Sequence, residues 1–133
     1  IPGRRVRAAR LAPLLTTAKQ LEETLLKLPG WSGVSYRGVL YKSVAARDAY
    51  YARFKVGQVF TMKAFQSTSR LRWRAVSFMR VPKESLLLHI KGKSGRSISK
   101  YAKYPKEQEV LFLKGSTFNV TKIKGNEIWL EEL

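Results

Sequence analysis

The sequence predicts a single α+β domain in which two N-terminal helices pack on an antiparallel or mixed β-sheet of five or six strands. Apolar residues recur at helical spacing in the first part of the chain, whereas from residue 58 onward they alternate or form short runs typical of strands. The chain has 133 residues, the size of one domain. With 44% hydrophobic and 11% aromatic residues it can bury a substantial core.

The first helix is predicted within residues 6–28. Pro13 is tolerated only in a first turn, so the regular helix is expected to begin near it, with the basic leader 1–10 frayed. Pro29 and Gly30 end the helix. The chain starts with Ile rather than Met, which indicates a domain excised from a larger protein. The apolar stripe comprises Leu11, Leu14, Leu15, Ala18, Leu21, Leu25 and Leu26.

The next elements are a strand and a short helix. Residues 34–41 alternate as a strand, with Tyr36 facing one side and Arg37 the other. Ser43 is expected to cap a second helix over residues 44–54, and Gly57 to end it.

The remaining elements are predicted to be strands. One long strand is expected from Gln58 to the hydroxyl cluster at residues 67–69. Residues 86–90 and 110–113 are apolar runs typical of buried strands. Residues 117–123 and 127–130 flank Lys124-Gly125-Asn126, a pattern that predicts a hairpin.

The charge is strongly unbalanced. Lys and Arg number 26 against 9 Asp and Glu, a net charge of +17, so an anionic partner is expected, either a phosphate backbone or an acidic protein surface. Between residues 70 and 106 Glu84 is the one acidic residue among eleven basic ones. Arg70, Arg72 and Arg74 alternate with apolar residues, which predicts that they share one face of an extended segment.

Composition also excludes several classes of protein. The chain has no cysteine, which excludes zinc ribbons, thiol catalysis and disulfide frameworks. It has one histidine, His89, and one aspartate, Asp48, too few for a His-rich metal site. No metal is therefore predicted. No apolar run approaches the roughly 18 residues of a membrane span, and the N-terminus does not show a signal-peptide pattern.

Three short segments place polar residues where a plain core strand would not. They are SYRGV at 35–39, FQSTS at 65–69 and EQEVLF at 107–112. In the third, strand alternation puts Glu107 and Glu109 on one face, roughly 7 Å apart. Each segment alone also has an ordinary structural explanation, as a salt-bridging arginine or the solvated end of a strand.

In this order, the three segments resemble the R-S-E class of ADP-ribosyltransferases, the class of cholera toxin and the arginine-modifying bacterial toxins. That family has a strand arginine followed by glycine, then an aromatic-x-Ser-Thr-Ser strand, then Glu-x-Glu entering an apolar strand. The resemblance spans about residues 10–123. It implies an ADP-ribosyltransferase-like fold with helices on a split sheet, and NAD as the co-substrate of a mono-ADP-ribosyltransferase toxin.

The resemblance implies a set of NAD-binding residues. Arg37 would hold the diphosphate, and Gly38 would let the backbone approach the nicotinamide amide. Ser67 would orient the catalytic carboxylate, with Thr68 supporting the strand. Phe78 would stack on the nicotinamide ring.

The resemblance also implies catalytic and acceptor-binding residues. Glu109 would grip the nicotinamide ribose and stabilise the positive charge that develops as nicotinamide leaves. Glu107 would orient or deprotonate the acceptor. The loop before these carboxylates, where the family selects its acceptor, supplies Lys100, Tyr101, Lys103, Tyr104 and Lys106.

Two features of the sequence predict different acceptors. Glu107, as the first residue of Glu-x-Glu, implies a guanidinium group and hence protein arginine. The +17 charge favours structured RNA, which is the preferred expectation, with protein arginine as the alternative.

Two other kinds of function remain open from sequence. A small basic ribonuclease toxin would use Glu107 or Glu109 with His89, although a mid-strand histidine is more often structural. A non-enzymatic RNA-binding module would use Trp31, Trp73 and Tyr101 as stacking platforms. Only the transferase would consume NAD.

The expected biological setting follows from the toxin resemblance. The domain is expected to be part of a secreted effector that acts in the cytoplasm of a target cell, for instance in competition between bacteria. An unrestrained toxin would kill its producer, so a separate acidic immunity protein is expected to cover the basic cleft.

Overall fold

The structure, a computed structural model, describes residues 18–98, 106 and 108–133. Its α+β class is the one predicted. None of the helices in this part of the chain is long and apolar enough to cross a membrane. The helices are α1 (Ala18–Leu26), α2 (Val44–Tyr51) and α3 (Arg72–Val76), with a 3-10 turn at Pro82–Glu84. The strands are β1 (Gly30–Leu40), β2 (Val59–Thr61), β3 (Gln66–Ser69), β4 (Ser85–Ser97), β5 (Glu109–Phe112), β6 (Thr117–Lys124) and β7 (Glu127–Glu132).

The strands form one seven-stranded sheet in the order β1-β3-β5-β4-β7-β6-β2, and β1 also pairs with β4. Strand β4 divides this sheet. One of its edges pairs with β1 from end to end, while the other pairs in parallel with β7 over residues 87–91 and antiparallel with β5 over residues 96–97. Because β5 and β7 pair with different parts of the same edge of β4, the sheet is split, as the family resemblance implied.

Two glycines let β5 cross β4 at the point of division. A Cβ on Gly92 would lie 2.5 Å from the Phe112 ring, and one on Gly95 would lie 2.6 Å from Val110 Cγ1. Both distances are too short for any side chain, so the crossing requires glycine. The nearby Glu132 carboxylate accepts hydrogen bonds from the backbone N–H groups of Lys93 (2.6 Å) and Ser94 (2.9 Å). These contacts hold the end of β7 against β4 beside the crossing.

The main core cluster lies on one face of the sheet, and Leu111, which alternates with Val110 and Phe112 along β5, lies on the other face. A small second cluster of Leu25, Ile98 and Leu111 anchors α1 to β4 and β5. The two apolar runs that were predicted to be buried, in β4 and β5, lie in the core. The main cluster consists of Phe54, Phe60, Met62, Leu86, Leu88, Ile90, Val110, Phe112, Phe118, Val120, Ile128 and Leu130.

The helices agree with the sequence apart from their lengths. Helix α1 ends at Leu26, before Pro29, and the part of the prediction at residues 6–17 lies outside the described residues. Helix α2 begins at the predicted cap, where Ser43 Oγ accepts from the Ala46 N–H at 3.1 Å. It ends at Tyr51, three residues earlier than predicted, because the chain turns to bury Phe54.

The predicted hairpin is confirmed. Strands β6 and β7 pair antiparallel across Gly125 and Asn126, with Lys124 opposite Glu127. Gly125 has φ 59°, a left-handed conformation that favours glycine in a tight turn.

The single long strand expected from Gln58 is wrong. It is two strands, because the chain leaves β6 after residue 61 and crosses the domain to reach β1 and β5. Strand β2 pairs with β6 at one edge of the sheet, whereas β3 lies between β1 and β5. At the break the Met62 N–H donates to Ser116 O and Met62 O accepts from the Gly115 N–H, which ends the pairing with β6.

The extended segment expected at residues 70–74 is also wrong, because residues 72–76 form helix α3. Ser69 Oγ accepts from the Leu71 N–H at 3.0 Å, which turns the chain at the end of β3. The Arg74 N–H then donates to Leu71 O at 3.1 Å. The three arginines therefore do not share a face. Arg70 lies over the Trp31 ring, Arg72 lies 3.7 Å from Glu127, and Arg74 lies over the Phe78 ring.

Candidate active site

Adjacent strands bring the three sequence segments together. In β1, Tyr36 lies opposite Ser69 of β3, and Ser69 in turn lies opposite Glu109 of β5. Residues far apart in sequence thus meet at the end of the sheet where β3 is held between its two neighbours.

The Glu109 carboxyl group lies at the centre of this site. Its residue is only 2% exposed, and Ser67 Oγ donates a hydrogen bond to Glu109 Oε2. Since Ser67 lies opposite Leu111 in the register, the bond runs diagonally between the strands. Gln108, with φ 50°, turns the chain into β5, and its carbonyl accepts from the Arg70 N–H at 3.1 Å. The orientation of Glu109 is therefore fixed on both sides.

Arg37 places a cation beside this carboxylate segment. Its Nη1 donates to the carbonyl oxygen of Ser67 at 3.3 Å. Burial lowers the pKa of Arg37 from its ordinary value to about 10, and the neighbouring Tyr50 and Tyr41 partly oppose that shift. The guanidinium is still charged at neutral pH. None of the described carboxylates forms an ion pair with it, so Arg37 is a partly buried cation suited to an incoming anion.

Thr68 ties the three strands together. Its Oγ1 lies 2.8 Å from Ser35 Oγ of β1 and 2.9 Å from the Val110 carbonyl of β5. The residue is buried, with 3% exposure. This contact holds the strands that carry Arg37 and Glu109 at a fixed spacing.

Helix α3 forms the opposite wall of the site, and Gly38 lets it approach. A Cβ on Gly38 would lie 1.8 Å from the carbonyl oxygen of Ala75 and 3.1 Å from Met79 Cγ. The sequence suggested that this glycine admits nicotinamide. The structure gives a more immediate reason, which is contact between the backbones of β1 and α3.

Changing Gly38 to alanine is expected to destabilise the fold by about 3 kcal/mol, because the new methyl group would have to displace a backbone carbonyl. Urea unfolding of the variant and the parent protein would measure this difference. Gly30→Ala is the matched control, since its Cβ would meet the flexible end of Arg96 at 3.3 Å. That change should cost less than about 1 kcal/mol. Equal small losses in both variants would contradict the close packing of α3 on β1.

Together these walls enclose a cleft of about 260 Å³, including its open mouth. It holds a cation, a carboxylate with an attached hydroxyl donor, and an aromatic ring. All of the expected NAD-binding residues, and Glu109, line it. The lining consists of Tyr36, Arg37, Gly38, Ser67, Thr68, Ser69, Arg74, Ala75, Phe78 and Glu109.

Sequence reasoning missed Arg74 as part of the site. Its guanidinium carbon lies 4.6 Å from the centre of the Phe78 ring, and both residues line the cleft. The arginine-rich run after Ser69 was the available signal. Because that run was assigned to a strand, the prediction did not show that α3 directs Arg74 into the cleft.

The acceptor loop expected from sequence is described only at Lys106, which is exposed. The other expected acceptor residues lie outside the described residues. They are Lys100, Tyr101, Lys103, Tyr104 and Glu107.

His89 does not join the cleft. Its Nε2 lies 2.8 Å from Glu127 Oε1, and its ring stacks on Trp129 with centroids 4.2 Å apart. It is the structural histidine that the sequence favoured, and the structure does not place it beside Glu109 as a ribonuclease would require. Over residues 18–98, 106 and 108–133, no group of three or more His, Cys, Asp and Glu residues could hold a metal ion.

Comparison with known proteins agrees with this geometry. A family model described as ADP-ribosyltransferase exoenzyme matches residues 34–131. A curated relative from Vibrio splendidus (strain 12B01), named as an NAD(+)–arginine ADP-ribosyltransferase, Vis, is 31% identical over 113 residues. That match covers 80% of this chain and 43% of the relative, so the chain spans less than half of the relative's length.

Solved structures show the same similarity. The Vis toxin from Vibrio splendidus superposes with a TM-score of 0.67 at 29% identity, covering 87% of this chain and 57% of that one. A structure of Vis in complex with agmatine gives a TM-score of 0.68 at 26% identity, covering 100% of this chain and 69% of that one.

Proposed function

The chain belongs to the ADP-ribosyltransferase exoenzyme family, and on that premise we propose that it transfers ADP-ribose from NAD to an arginine side chain of a target protein. Nicotinamide is released in the same reaction. The observation that carries this proposal is the buried Glu109 carboxylate held by Ser67, with β3 between it and Arg37, a cation that has no carboxylate partner among the described residues.

Arg37 supports NAD as the substrate. Its guanidinium is partly buried and has no carboxylate partner in the part of the chain that the structure describes, which is costly, and a diphosphate is an anion whose geometry matches it. Arg74 would add a second positive charge at the same cleft, on the α3 side. The two cations would bind the diphosphate of NAD, and the nicotinamide ribose would then lie beside the Glu109 carboxylate.

Glu109 would act on the reacting end of the substrate. When bound, NAD supplies the ADP-ribosyl group, and the bond from ribose C1′ to nicotinamide breaks with its electron pair on nicotinamide, so that positive charge develops on the ribose. The Glu109 carboxylate would stabilise that charge, as carboxylates do in glycosidases. The Ser67 hydrogen bond would keep the carboxylate in position throughout.

Phe78 would bind the leaving group, and Glu107 the acceptor. The Phe78 ring lines the cleft on the α3 side and offers an aromatic surface to the nicotinamide ring. Glu107, which the sequence places two residues before Glu109, would orient the guanidinium nitrogen and take the proton it loses as it bonds to C1′.

Arginine is proposed as the acceptor in preference to RNA. The expectation of RNA rested on the +17 charge alone, and no relative described above has a name that refers to RNA. The Vis relative is named for arginine modification, and one Vis structure contains agmatine, a small guanidine. Both support the guanidinium acceptor that Glu107 implied.

Incubating the protein with labelled NAD and agmatine is expected to give labelled agmatine together with released nicotinamide, because agmatine offers the same guanidinium group as an arginine side chain. In a cell lysate the label should survive ribonuclease and disappear with protease. Mass spectrometry of the agmatine product and chromatography of nicotinamide measure the two outcomes. Label that ribonuclease removes would contradict the arginine acceptor. A protein that never releases nicotinamide would contradict the transferase itself.

The biological setting stays close to the sequence prediction. We propose that the domain acts, as part of a secreted bacterial toxin, in the cytoplasm of a target cell. An acidic immunity protein and a role in competition between bacteria stay predictions. An acidic immunity protein would bind the basic surface, and its affinity should fall as the salt concentration rises.

A further inference from the structure

Helix α3 presents an apolar surface to solvent on the side away from the sheet. Trp73 is 62% exposed and Val76 is 38% exposed. They lie three residues apart on the helix and therefore on one face, whereas Ala75 packs on Gly38. A tryptophan buried in an interface contributes more than almost any other residue, so its exposure here indicates a surface that binds something.

The segment of chain that carries this surface has charge of one sign. Residues 70–83 contain five basic residues and no acidic one. Arg80 is exposed, and Arg72 is more than half exposed although it lies 3.7 Å from Glu127. The partner that complements this segment therefore carries acidic side chains around an apolar one.

The position of α3 connects this surface to the cleft. Arg74 and Ala75, on the inner side of the same helix, line the cleft that holds Glu109. Because α3 is one wall of the cleft, a macromolecule bound at the cleft can also contact the outer side of this short helix. The exposed Trp73 therefore lies on the same helix that borders the cleft in which the acceptor would react.

A protein partner fits better than RNA. Single-stranded RNA is bound by successive aromatic rings whose faces are accessible. Here Trp31 packs against the core beneath Arg70, and Trp129 stacks on His89. Among the three tryptophans, Trp73 alone is largely exposed, and one tryptophan among arginines is typical of a protein–protein hot spot.

We propose that Trp73, Val76, Arg72 and Arg80 form an α3 docking surface for the acceptor protein. The acceptor presents acidic residues and an apolar side chain next to the arginine that is modified. This inference rests on the proposed function and adds to it the chemistry by which the target is selected.

Matched peptides would test the docking surface. Each is about twelve residues long, which spans at most about 40 Å when extended, and contains one arginine. One peptide surrounds that arginine with glutamates and a leucine, and the other replaces the glutamates with lysines. Two quantities are measured for each peptide, namely its Kd by fluorescence anisotropy and the kcat/KM for its labelling. Agmatine labelling and nicotinamide release give the activity without docking.

The acidic peptide is expected to bind about tenfold more tightly than the basic one. Trp73→Ala should weaken its binding and lower its kcat/KM by about tenfold, while agmatine labelling and nicotinamide release change less than about twofold. Arg80→Glu should reduce or reverse the preference for the acidic peptide. Val59→Ala is the control, since Val59 is 56% exposed on the distant edge strand β2 and should change nothing.

Several results would overturn the proposal. Equal binding of both peptides would do so, as would parallel losses of peptide and agmatine labelling in Trp73→Ala. Displacement of the acidic peptide by single-stranded RNA, lost in Trp73→Ala, would reassign the surface to RNA. Because the Kd is measured without catalysis, absent nicotinamide release would overturn the proposed function while the docking surface is still tested.

Discussion

Replacing Glu109 with glutamine is expected to lower nicotinamide release by about 100- to 1000-fold. The amide has nearly the same shape as the carboxylate, and its oxygen can still accept from Ser67, so the fold should be kept. What is lost is the negative charge that, in the proposed reaction, faces the ribose as nicotinamide departs. Nicotinamide release from NAD in the presence of agmatine measures the effect.

Glu132→Gln is the matched control for this variant. Glu132 is also buried, at 9% exposure, but its carboxylate accepts from backbone N–H groups of β4, remote from the cleft lining. Its replacement should lower thermal stability and leave the turnover of the folded protein within about twofold. If Glu109→Gln kept more than about a tenth of the parent activity, Glu109 would not be the residue that faces the reacting ribose.

Replacing Arg37 with methionine is expected to abolish NAD binding and, at the same time, to stabilise the substrate-free protein. Burial lowers the pKa of Arg37 to about 10, below its value in the unfolded chain. The unfolded chain therefore holds this proton more tightly, and the buried charge opposes folding at every pH below about 10. Consistent with that sign, the contribution of Arg37 becomes less unfavourable as the pH rises from about 10 toward 12.5.

Thermal melting with and without NAD would test both parts. Without NAD, Arg37→Met should melt at least about 4 °C above the parent protein, equivalent to about 1 kcal/mol. NAD should raise the melting temperature of the parent protein and leave that of the variant unchanged. The control is Arg53→Met, since Arg53 lies on the surface over Tyr50 and Phe60 and should keep the full response to NAD. A variant that is less stable and still responds to NAD would show that Arg37 serves the fold and not the diphosphate.

The sequence was sufficient for the local elements of the site but not for their arrangement. Alternation identified the strand that carries Arg37, and the apolar run after Glu109 identified β5, because both patterns depend only on neighbouring residues. That β3 lies between these strands is a non-local pairing which no periodicity encodes. It could be anticipated only because the three segments resembled a known family.

The two wrong predictions share a cause, which is contact with residues distant in sequence. Residues 60–64 alternate on both sides of Met62, so periodicity does not mark the point at which Met62 bonds to residues 115 and 116 and the chain leaves β6. The alternating arginines after Ser69 look extended, but the Ser69 side chain turns the chain and the bare backbone of Gly38 gives α3 a place to pack. Both outcomes were decided by partners distant in sequence.

The diagonal bond between Ser67 and Glu109 also has a consequence for how activity is acquired. It joins residues 42 positions apart, and the contact between Thr68 and Ser35 spans 33. Closing such loops costs chain entropy before any contact repays it, so contacts of this kind form late on a folding pathway. The hairpin of β6 and β7, by contrast, needs only a two-residue turn. A partly folded chain could thus contain much of its sheet and still lack the candidate active site, which is complete only when β3 joins β1 to β5.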